Sequence, residues 1–384
     1  MHGRLPPLSL YVHLPWCVRK CPYCDFNSYS AGNDAPRERY LDALLADLAS
    51  EAERASGREI ISIFLGGGTP SLFRPQQIGR LLDAAAASFR LTENIEITME
   101  ANPGTVECGD PAGYLQAGVN RLSIGAQSFD ERALQILGRI HSVADIRRSV
   151  EAAGACGFSN INVDIMFALP GQDRTAAMSD IEQAVALEPT HISWYQLTLE
   201  PNTIFHARPP ADLPDEDAAF EIQQHGQELL AGKGFEQYEV SAYARDGKRS
   251  AHNLNYWTFG DYLAIGAGAH GKISIDGEIF RYAKTANPQQ YMEALESGES
   301  SVDLTPISSE ERVFEFMLNA LRLTNGFDEA LFCDRTGLSP DHLRRRLLPA
   351  AGKGLIEEIQ PGSWRTTALG GHFLNNLQAE FLPE

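Results

Sequence analysis

The chain has no long apolar run, and this absence sets the first limit on what the protein can be. Hydrophobic residues make up 43% of its 384 residues. No apolar stretch, however, approaches the ~20 residues that cross a bilayer. Residues 1–7 contain no apolar signal core, so we expect neither a membrane span nor secretion. A cytoplasmic protein is the expectation.

Positive charge is scarce as well. The chain carries 32 Lys and Arg against 51 Asp and Glu, which gives a net charge of −19. A surface with this balance repels phosphate backbones. We therefore expect no nucleic-acid partner.

Cysteine is sparse except in one place. Three of the six cysteines, Cys108, Cys156 and Cys333, are scattered and indicate no disulfide framework. The other three, at positions 17, 21 and 24, have the spacing Cys-x3-Cys-x2-Cys. Three thiolates this close can bind one soft metal centre, one ligand short of a closed four-cysteine site.

Strand and helix patterns alternate along the first half of the chain. Short segments rich in strand formers are separated by stretches with helical spacing, so parallel neighbours are expected. The six predicted strands cover residues 8–14, 59–65, 95–99, 121–124, 161–168 and 191–197. A closed barrel of this type needs eight βα units. The prediction is therefore an α/β fold with a partial, open (β/α)6 barrel.

Three segments are predicted along the chain. Residues 1–245 form the partial barrel, and residues 246–304 form an extension or linker. Residues 305–384 form a small α+β domain, whose order of helices and a terminal hairpin resembles a winged helix. That domain holds 8 Lys and Arg against 11 Asp and Glu, a net of −3. Packing or partner docking is therefore favoured over DNA contact.

Polar and glycine residues cluster where the predicted parallel strands end. The cysteine loop, residues 66–69, Glu100, Gln127 and Asp164 all lie within or just after a strand's carboxyl end. In parallel α/β proteins ligands bind at that edge. We expect these residues to share one site.

Two kinds of metal centre fit the cysteine triplet. A structural zinc site needs four ligands, and His13 is a candidate for the fourth. An iron–sulfur cube also takes four ligands, so three cysteines leave one iron open to another molecule. The residues alone leave both alternatives open.

The triplet resembles a known signature when it is read with its surroundings. Cys17, Cys21 and Cys24, with Tyr23 before the last cysteine and Gly-Gly-Gly-Thr-Pro after the second strand, resemble the radical S-adenosylmethionine (SAM) superfamily. The resemblance implies a partial (β/α)6 barrel and a [4Fe–4S] cluster on the three cysteines. It also implies that SAM binds the open iron beside the glycines, where free backbone groups and the absence of Cβ atoms suit its methionine moiety.

A narrower resemblance extends over nearly the whole chain. Tyr-Val-His-Leu-Pro-Trp-Cys at 11–17 is similar to the opening of the anaerobic coproporphyrinogen III oxidases and of the related HemW-type haem chaperones. The match continues through Gln127-Ser128-Phe129 to the C-terminal domain. It implies that SAM is contacted by Tyr11, Tyr23, Gly67, Gly68, Thr69, Glu100, Gln127, Arg139 and Asp164.

Three features favour the chaperone branch. Phe26 stands where the oxidases have a further cysteine, and little chain precedes the first strand. The third feature is the motif HNxxYW at 252–257, which implies haem contact by its four fixed residues: His252, Asn253, Tyr256 and Trp257. An alternative remains open, in which His252 bonds to backbone and the aromatic residues anchor the segment to the core.

The resemblance thus predicts a haem chaperone with no assigned catalytic residue. It would bind haem, a [4Fe–4S] cluster and SAM, and pass haem to acceptor proteins such as respiratory-chain enzymes. Transient contact with membrane-bound acceptors belongs to the same expectation. The alternatives are an oxygen-independent coproporphyrinogen III oxidase and a zinc-stabilised interaction protein.

Overall fold

The structure is a computed structural model that describes residues 5–30, 35–104, 109–298 and 302–383. Helices and strands alternate along its first half, so the predicted mixed α/β class is confirmed. Cys108 lies outside the described residues. The other cysteines are free thiols, which agrees with the absence of a disulfide framework. No helix within the described ranges is both long enough and apolar enough to span a bilayer.

The strands are short and many. In chain order they are Leu8–Leu14 (β1), Trp16–Cys17 (β2), Tyr29–Ser30 (β3), Glu59–Gly67 (β4), Arg90–Ala101 (β5), Arg121–Gln127 (β6), Ile161–Phe167 (β7), His191–Gln196 (β8), Glu236–Glu239 (β9), Ala242–Ala244 (β10), Asp261–Ile265 (β11), His270–Ile275 (β12), Glu278–Ala283 (β13), Thr305–Pro306 (β14), Phe327–Asp328 (β15), Ile356–Gln360 (β16) and Ser363–Thr366 (β17).

The helices mostly follow the predicted positions. They are Arg37–Ala55 (α1), Pro75–Ser88 (α2), Pro111–Gln116 (α3), Glu131–Ile136 (α4), Val143–Ala155 (α5), Arg174–Val185 (α6), Ile204–Ala207 (α7), Glu216–Gly232 (α8), Ala251–Trp257 (α9), Pro288–Glu296 (α10), Ser309–Ala320 (α11), Glu329–Thr336 (α12), Pro340–Gly352 (α13), Ala368–His372 (α14) and Leu374–Ala379 (α15).

One large open sheet organises the molecule. Within the described residues twelve strands form it, in the order β14-β13-β12-β11-β1-β4-β5-β6-β7-β8-β10-β9. The strands from β11 to β8 are parallel neighbours, and those outside them are antiparallel. Parallel strands align their carboxyl ends at one edge. The six predicted strands therefore end side by side.

The strand β11 extends this parallel array beyond the predicted six. It pairs with β1 in register Leu8 to Asp261 through Val12 to Ile265, so residues after 245 contribute to the same sheet. Every residue of β11 is buried. A five-residue strand paired with the other end of the chain gives little local sequence signal. The predicted division into three segments stays a prediction.

The outer face of the sheet is apolar and covered by helices. In α1 the side chains of Tyr40, Leu41, Leu44 and Leu48 are buried, as their helical spacing predicts. Full burial of a leucine side chain contributes roughly 1.5–3 kcal/mol. Together with α2, α5, α6 and α8, this helix seals the outer face, which leaves the inner face for polar groups.

The C-terminal region has an apolar cluster of its own. Phe316 of α11 and Phe332 of α12 meet edge to face, with ring centroids 5.2 Å apart. Leu343 and Trp364 are buried in the same cluster. Arg344, from the arginine run of α13, pairs with Glu329 at 2.6 Å. This arginine therefore takes part in packing within the region, which agrees with the interpretation favoured from its charge.

Candidate cofactor site

A cavity of about 480 Å³ opens at the carboxyl ends of the parallel strands. The polar residues predicted to share one site do meet there. The predicted residues that line it are Cys17, Cys21, Tyr23, Cys24, Gly67, Gly68, Thr69, Glu100, Gln127, Arg139 and Asp164. Their roles toward a cofactor stay predictions. Tyr11 is not among the lining residues.

The cysteine loop is anchored at both of its ends. Trp16 and Cys17 pair with Tyr29 and Ser30 as a short parallel ladder, and the Cys24 N–H donates to the Cys21 carbonyl at 3.2 Å. Burial raises the pKa of the Cys17 thiol to about 11. The pKa of Cys24 is raised for the same reason. Without a cation these thiols stay protonated at neutral pH, whereas a bound metal would stabilise the thiolates.

The donor set fits a cluster better than a single ion. Among the described residues, no group of three or more His, Cys, Asp or Glu side chains is arranged to hold one metal ion. His13 does not complete a zinc site, because its Nδ1 bonds to the Tyr11 hydroxyl at 3.0 Å and its Nε2 to the Asn27 carbonyl at 2.9 Å. A cube spreads its ligands over separate irons, so its cysteines need not converge on one point.

The two central glycines are required by close packing of the backbone. A Cβ on Gly67, whose φ is +110°, would lie 2.4 Å from His13 Cε1. One on Gly68 would lie 2.6 Å from the Trp16 carbonyl oxygen. No side chain fits at either place.

The backbone N–H groups of this turn are already engaged. Gly67 N–H donates to Glu100 at 3.1 Å. Gly68 N–H donates to the Leu14 carbonyl at 2.8 Å, and Thr69 N–H to the Trp16 carbonyl at 2.7 Å. The family resemblance predicts that these donors are free for a ligand. They instead join the end of β4 to Leu14 of β1, to Trp16 at the start of the cysteine loop and to Glu100 of β5.

Two carboxyl groups, those of Glu100 and Asp164, line the cavity. Burial, and then repulsion from Asp164, raises the pKa of Glu100 to about 8. Burial also raises the pKa of Asp164. Ser123 and Asn162 each donate to Asp164 at 2.8 Å. Because a carboxylate has about four acceptor positions, Asp164 can still accept from a ligand. The pair suits a ligand with positive charge or hydroxyl donors.

Arg139 brings a positive charge to the same wall. It follows α4, and its Nη2 donates to Asn102 Oδ1 at 2.7 Å and to the Gly125 carbonyl at 2.9 Å. Its Nη1 lies 3.6 Å from the sulfur of Cys21. A guanidinium beside a cysteine sulfur stabilises negative charge there. The arginine therefore belongs to the site and is not a surface helix residue.

The HNxxYW motif lies elsewhere on the inner face of the sheet. It forms the helix α9, whose first N–H groups, those of Ala251 and His252, donate to Glu96 at 3.0 and 3.1 Å. His252 Nδ1 bonds to Ser62 Oγ at 3.0 Å, and its ring stacks on Phe64 at 4.9 Å. The motif therefore covers the inner face of the sheet near the amino-terminal ends of its parallel strands.

The four predicted haem contacts of this motif are only partly accessible. His252 is 2% exposed, and burial lowers its pKa to about 3. Asn253 is half-buried. The Tyr256 ring packs on Tyr262 at 4.2 Å, and the guanidinium of Arg322 lies 4.4 Å over the Trp257 ring. None of the four lines the cavity. Tyr11 lies between the two regions, 6.4 Å from the His252 ring.

Comparison with known proteins agrees with this architecture. Residues 11–184 match the radical SAM superfamily and residues 307–373 the HemN C-terminal domain. The chain is 47% identical to the heme chaperone HemW of Escherichia coli (strain K12), over 99% of this chain and 100% of that protein. The chain belongs to the HemW family. It is also 33% identical to HemW of Bacillus subtilis (strain 168), over 93% of this chain and 95% of that one.

A solved structure supports the fold of this HemW-family chain. The coproporphyrinogen III oxidase HemN of Escherichia coli, a radical SAM enzyme, superposes with a TM-score of 0.82 at 23% identity. The match covers 98% of this chain and 90% of that one. At this identity the likeness shows the fold alone, and it confirms the predicted radical SAM architecture.

Sequence reasoning misses several residues that line the cavity of this HemW-family chain. Asn102 bridges Arg139 and the Thr69 hydroxyl, to which it donates at 2.9 Å. Tyr195 donates to Gln127 at 2.7 Å, and Ser123 holds Asp164. Asn102 lies two positions after Glu100, just beyond the end of β5, and Ser123 lies four positions before Gln127 on β6. Each is therefore an even number of positions from a predicted site residue. The two-residue period of a strand could therefore have identified both.

Proposed function

We propose that this protein is a haem chaperone that holds a [4Fe–4S] cluster and SAM, binds haem, and passes haem to acceptor proteins. The observation that carries the proposal is the set of three free cysteine thiols on one cavity wall, together with a carboxylate pair and an arginine. The name of the relatives, heme chaperone HemW, supports the haem part. A cytoplasmic place of action and respiratory-chain acceptors belong to the same proposal.

Each group in the cavity has a role that follows from its chemistry. Cys17, Cys21 and Cys24 would ligate three irons and leave one open. A bound cluster would supply one electron for reductive cleavage of the SAM sulfonium. Glu100 would accept from the ammonium of SAM, and Asp164 from ribose hydroxyls, while Arg139 would pair with a carboxylate. Burial keeps these charges away from bulk water and so strengthens their attraction.

The haem role predicted for α9 requires a structural change. His252 Nδ1 is held by Ser62, and the ring is enclosed, so ligation of haem iron by this imidazole would need α9 to leave the sheet. Haem contact by the HNxxYW motif stays a prediction. His252 is hydrogen-bonded at Nδ1, whereas its Nε2 is buried without a hydrogen-bond partner among the described residues.

The test is a set of measurements on one anaerobically reconstituted preparation. We expect a brown protein with broad absorbance and about four irons per chain, as a cube requires. We also expect SAM binding by calorimetry, near-stoichiometric haem binding, and transfer of haem to an apoprotein acceptor. A colourless protein that binds one zinc would contradict the cluster. Conversion of coproporphyrinogen III to protoporphyrinogen IX at a useful rate would favour the oxidase alternative.

A further inference from the structure

Exposed apolar side chains occur on the cysteine loop and on two segments that contact it, and one of them, Phe26, lines the cavity. Val18 is 39% exposed, Phe26 56%, Ile140 50% and Ile204 63%. We call these four residues the apolar rim. Scattered apolar side chains are normal on a protein surface, but a contiguous group of them marks an interaction site.

The members of the rim are brought together by the cysteine loop. Val18 and Phe26 belong to that loop. Ile140 follows the turn at Gly138, where an added Cβ would lie 2.7 Å from Pro22 Cδ. Ile204 begins α7, whose next residue, Phe205, donates its N–H to the Pro22 carbonyl at 3.0 Å. All four side chains therefore lie on the loop or on segments that contact Pro22.

Two cations lie beside the rim in a chain that is otherwise strongly acidic. Arg19 and Lys20 are exposed and line the cavity. Lys20 donates to the Phe26 carbonyl at 2.9 Å, which holds its ammonium next to the rim. Asp25 of the same loop also lines the cavity, so residues 17–26 carry two cations and one acid, a net of +1 in a chain whose net charge is −19. This local balance favours a ligand that carries negative charge at one edge.

We propose that the apolar rim is the haem-docking surface. The macrocycle would lie across Phe26, Ile140 and Ile204, with its two carboxylates toward Arg19 and Lys20. This inference rests on the proposed function, since it names where haem binds. A flat apolar ligand with two carboxylates at one edge matches the composition of this surface, and it would cover the mouth of the cavity.

The decisive variant lies outside the cysteine loop, so that the cluster is left intact. We compare Ile140→Ser with Ile204→Ser as a double variant against Leu348→Ser with Ile359→Ser. The latter pair is 62% and 44% exposed in the C-terminal region. Haem affinity is measured by Soret titration of full-length protein. We expect the rim variant to lose about tenfold in affinity, and the control to stay within about twofold of the wild type.

Haem dimethyl ester, in which both carboxylates are blocked, tests whether Arg19 and Lys20 bind the carboxylates of haem. Arg19→Glu should weaken the binding of haem but not of the ester, and the effect on haem should decline with salt. Iron content and SAM affinity should be unchanged in the rim double variant. These two readouts separate haem docking from damage to the cavity.

The outcomes distinguish the docking surface from the function itself. If the wild type binds no haem, the proposed function fails. If the wild type binds haem and the rim variant binds it equally well, the apolar rim is overturned. If instead His252→Ala loses haem while the rim variant does not, α9 is the binding element. A tenfold loss in the rim variant alone supports the proposal.

Discussion

The cysteine loop and α9 carry the two most distinctive motifs of the chain, and they lie at opposite ends of the inner face of the sheet. The loop is open: Cys21 and Cys24 are half-buried, and Phe26 is 56% exposed. The helix α9 is closed: His252 is buried and hydrogen-bonded, and Asn255 donates to Ser9 at 2.9 Å and to the Asp261 carbonyl at 2.8 Å.

The contrast separates two reasons for a distinctive motif. In the loop, thiols and cations line a cavity. This is the environment expected of groups that bind a ligand. In α9, the first backbone N–H groups, His252 Nδ1 and the Asn255 amide nitrogen are hydrogen-bonded to the sheet. His252 Nε2 and Asn255 Oδ1, by contrast, are buried without a partner among the described residues. The hydrogen bonds of α9 join β1, β4 and β5 at the end where parallel-sheet proteins place stability and not binding.

The largest effect is expected at the cysteine loop. Cys21→Ser would remove one of the three proposed cysteine ligands, so we expect loss of most of the bound iron after anaerobic reconstitution. Iron and sulfide analysis with absorbance spectroscopy measures it. Cys156→Ser, at the end of α5 and away from the cavity, is the matched control and should retain its iron. Equal iron in the two variants would contradict the assignment of the site.

The sequence predicts this loop well because its signal is local. The spacing of Cys17, Cys21 and Cys24 and the glycine turn can be read without knowledge of the fold. The position of Glu100 and Asp164 follows from the rule that parallel strands end together. Tyr195 of β8 donates to Gln127 of β6, across the intervening strand β7, and sequence patterns do not specify such a contact.

The place of α9 could not be predicted, for a different physical reason. Its partners are residues of β1, β4 and β5, all of them far away in the chain. The same holds for β11, whose pairing with β1 joins Leu8 to Asp261. Long-range pairing is fixed by burial of whole surfaces and leaves little trace in local periodicity.

The second prediction concerns His252 of α9. His252→Ala removes a buried ring that stacks on Phe64. The change leaves a cavity and takes one of two hydrogen bonds from the Ser62 hydroxyl, whose other partner is Ser9. We expect a loss of about 2–4 kcal/mol in the free energy of unfolding, measured by urea denaturation. Haem affinity should change by about twofold or less. His342→Ala, at an exposed position, is the control and should leave both quantities near the wild-type values.

The third prediction concerns how the free energy of unfolding depends on pH through Glu100, which lines the cavity. The raised pKa of Glu100, about 8 against an ordinary 4.5, means that the folded protein keeps a proton that the unfolded chain releases. The free energy of unfolding of the cofactor-free protein therefore contains a term that falls as pH rises through this window. Glu100→Gln removes that term.

We expect Glu100→Gln to be more stable than the wild type at pH 8 by about 4 kcal/mol, with little difference at a pH near the ordinary pKa of 4.5. Denaturant titrations at several pH values measure the effect. Glu93→Gln, at an exposed position of the same strand β5, should leave the pH profile unchanged. A Glu100→Gln profile parallel to that of the wild type would mean that the carboxyl is ionised in the folded protein.

The smallest effect concerns how α9 is held in place. Ser250 caps the helix by accepting from the Asn253 N–H at 3.3 Å, and Ser250→Ala should cost about 1 kcal/mol of unfolding free energy. Ser339 precedes α13 without a capping bond from its side chain, so Ser339→Ala should cost less than half as much. If α9 contributes only to stability, Ser250→Ala leaves haem affinity unchanged. A parallel loss of haem binding would instead show that the position of α9 controls the ligand at the open end.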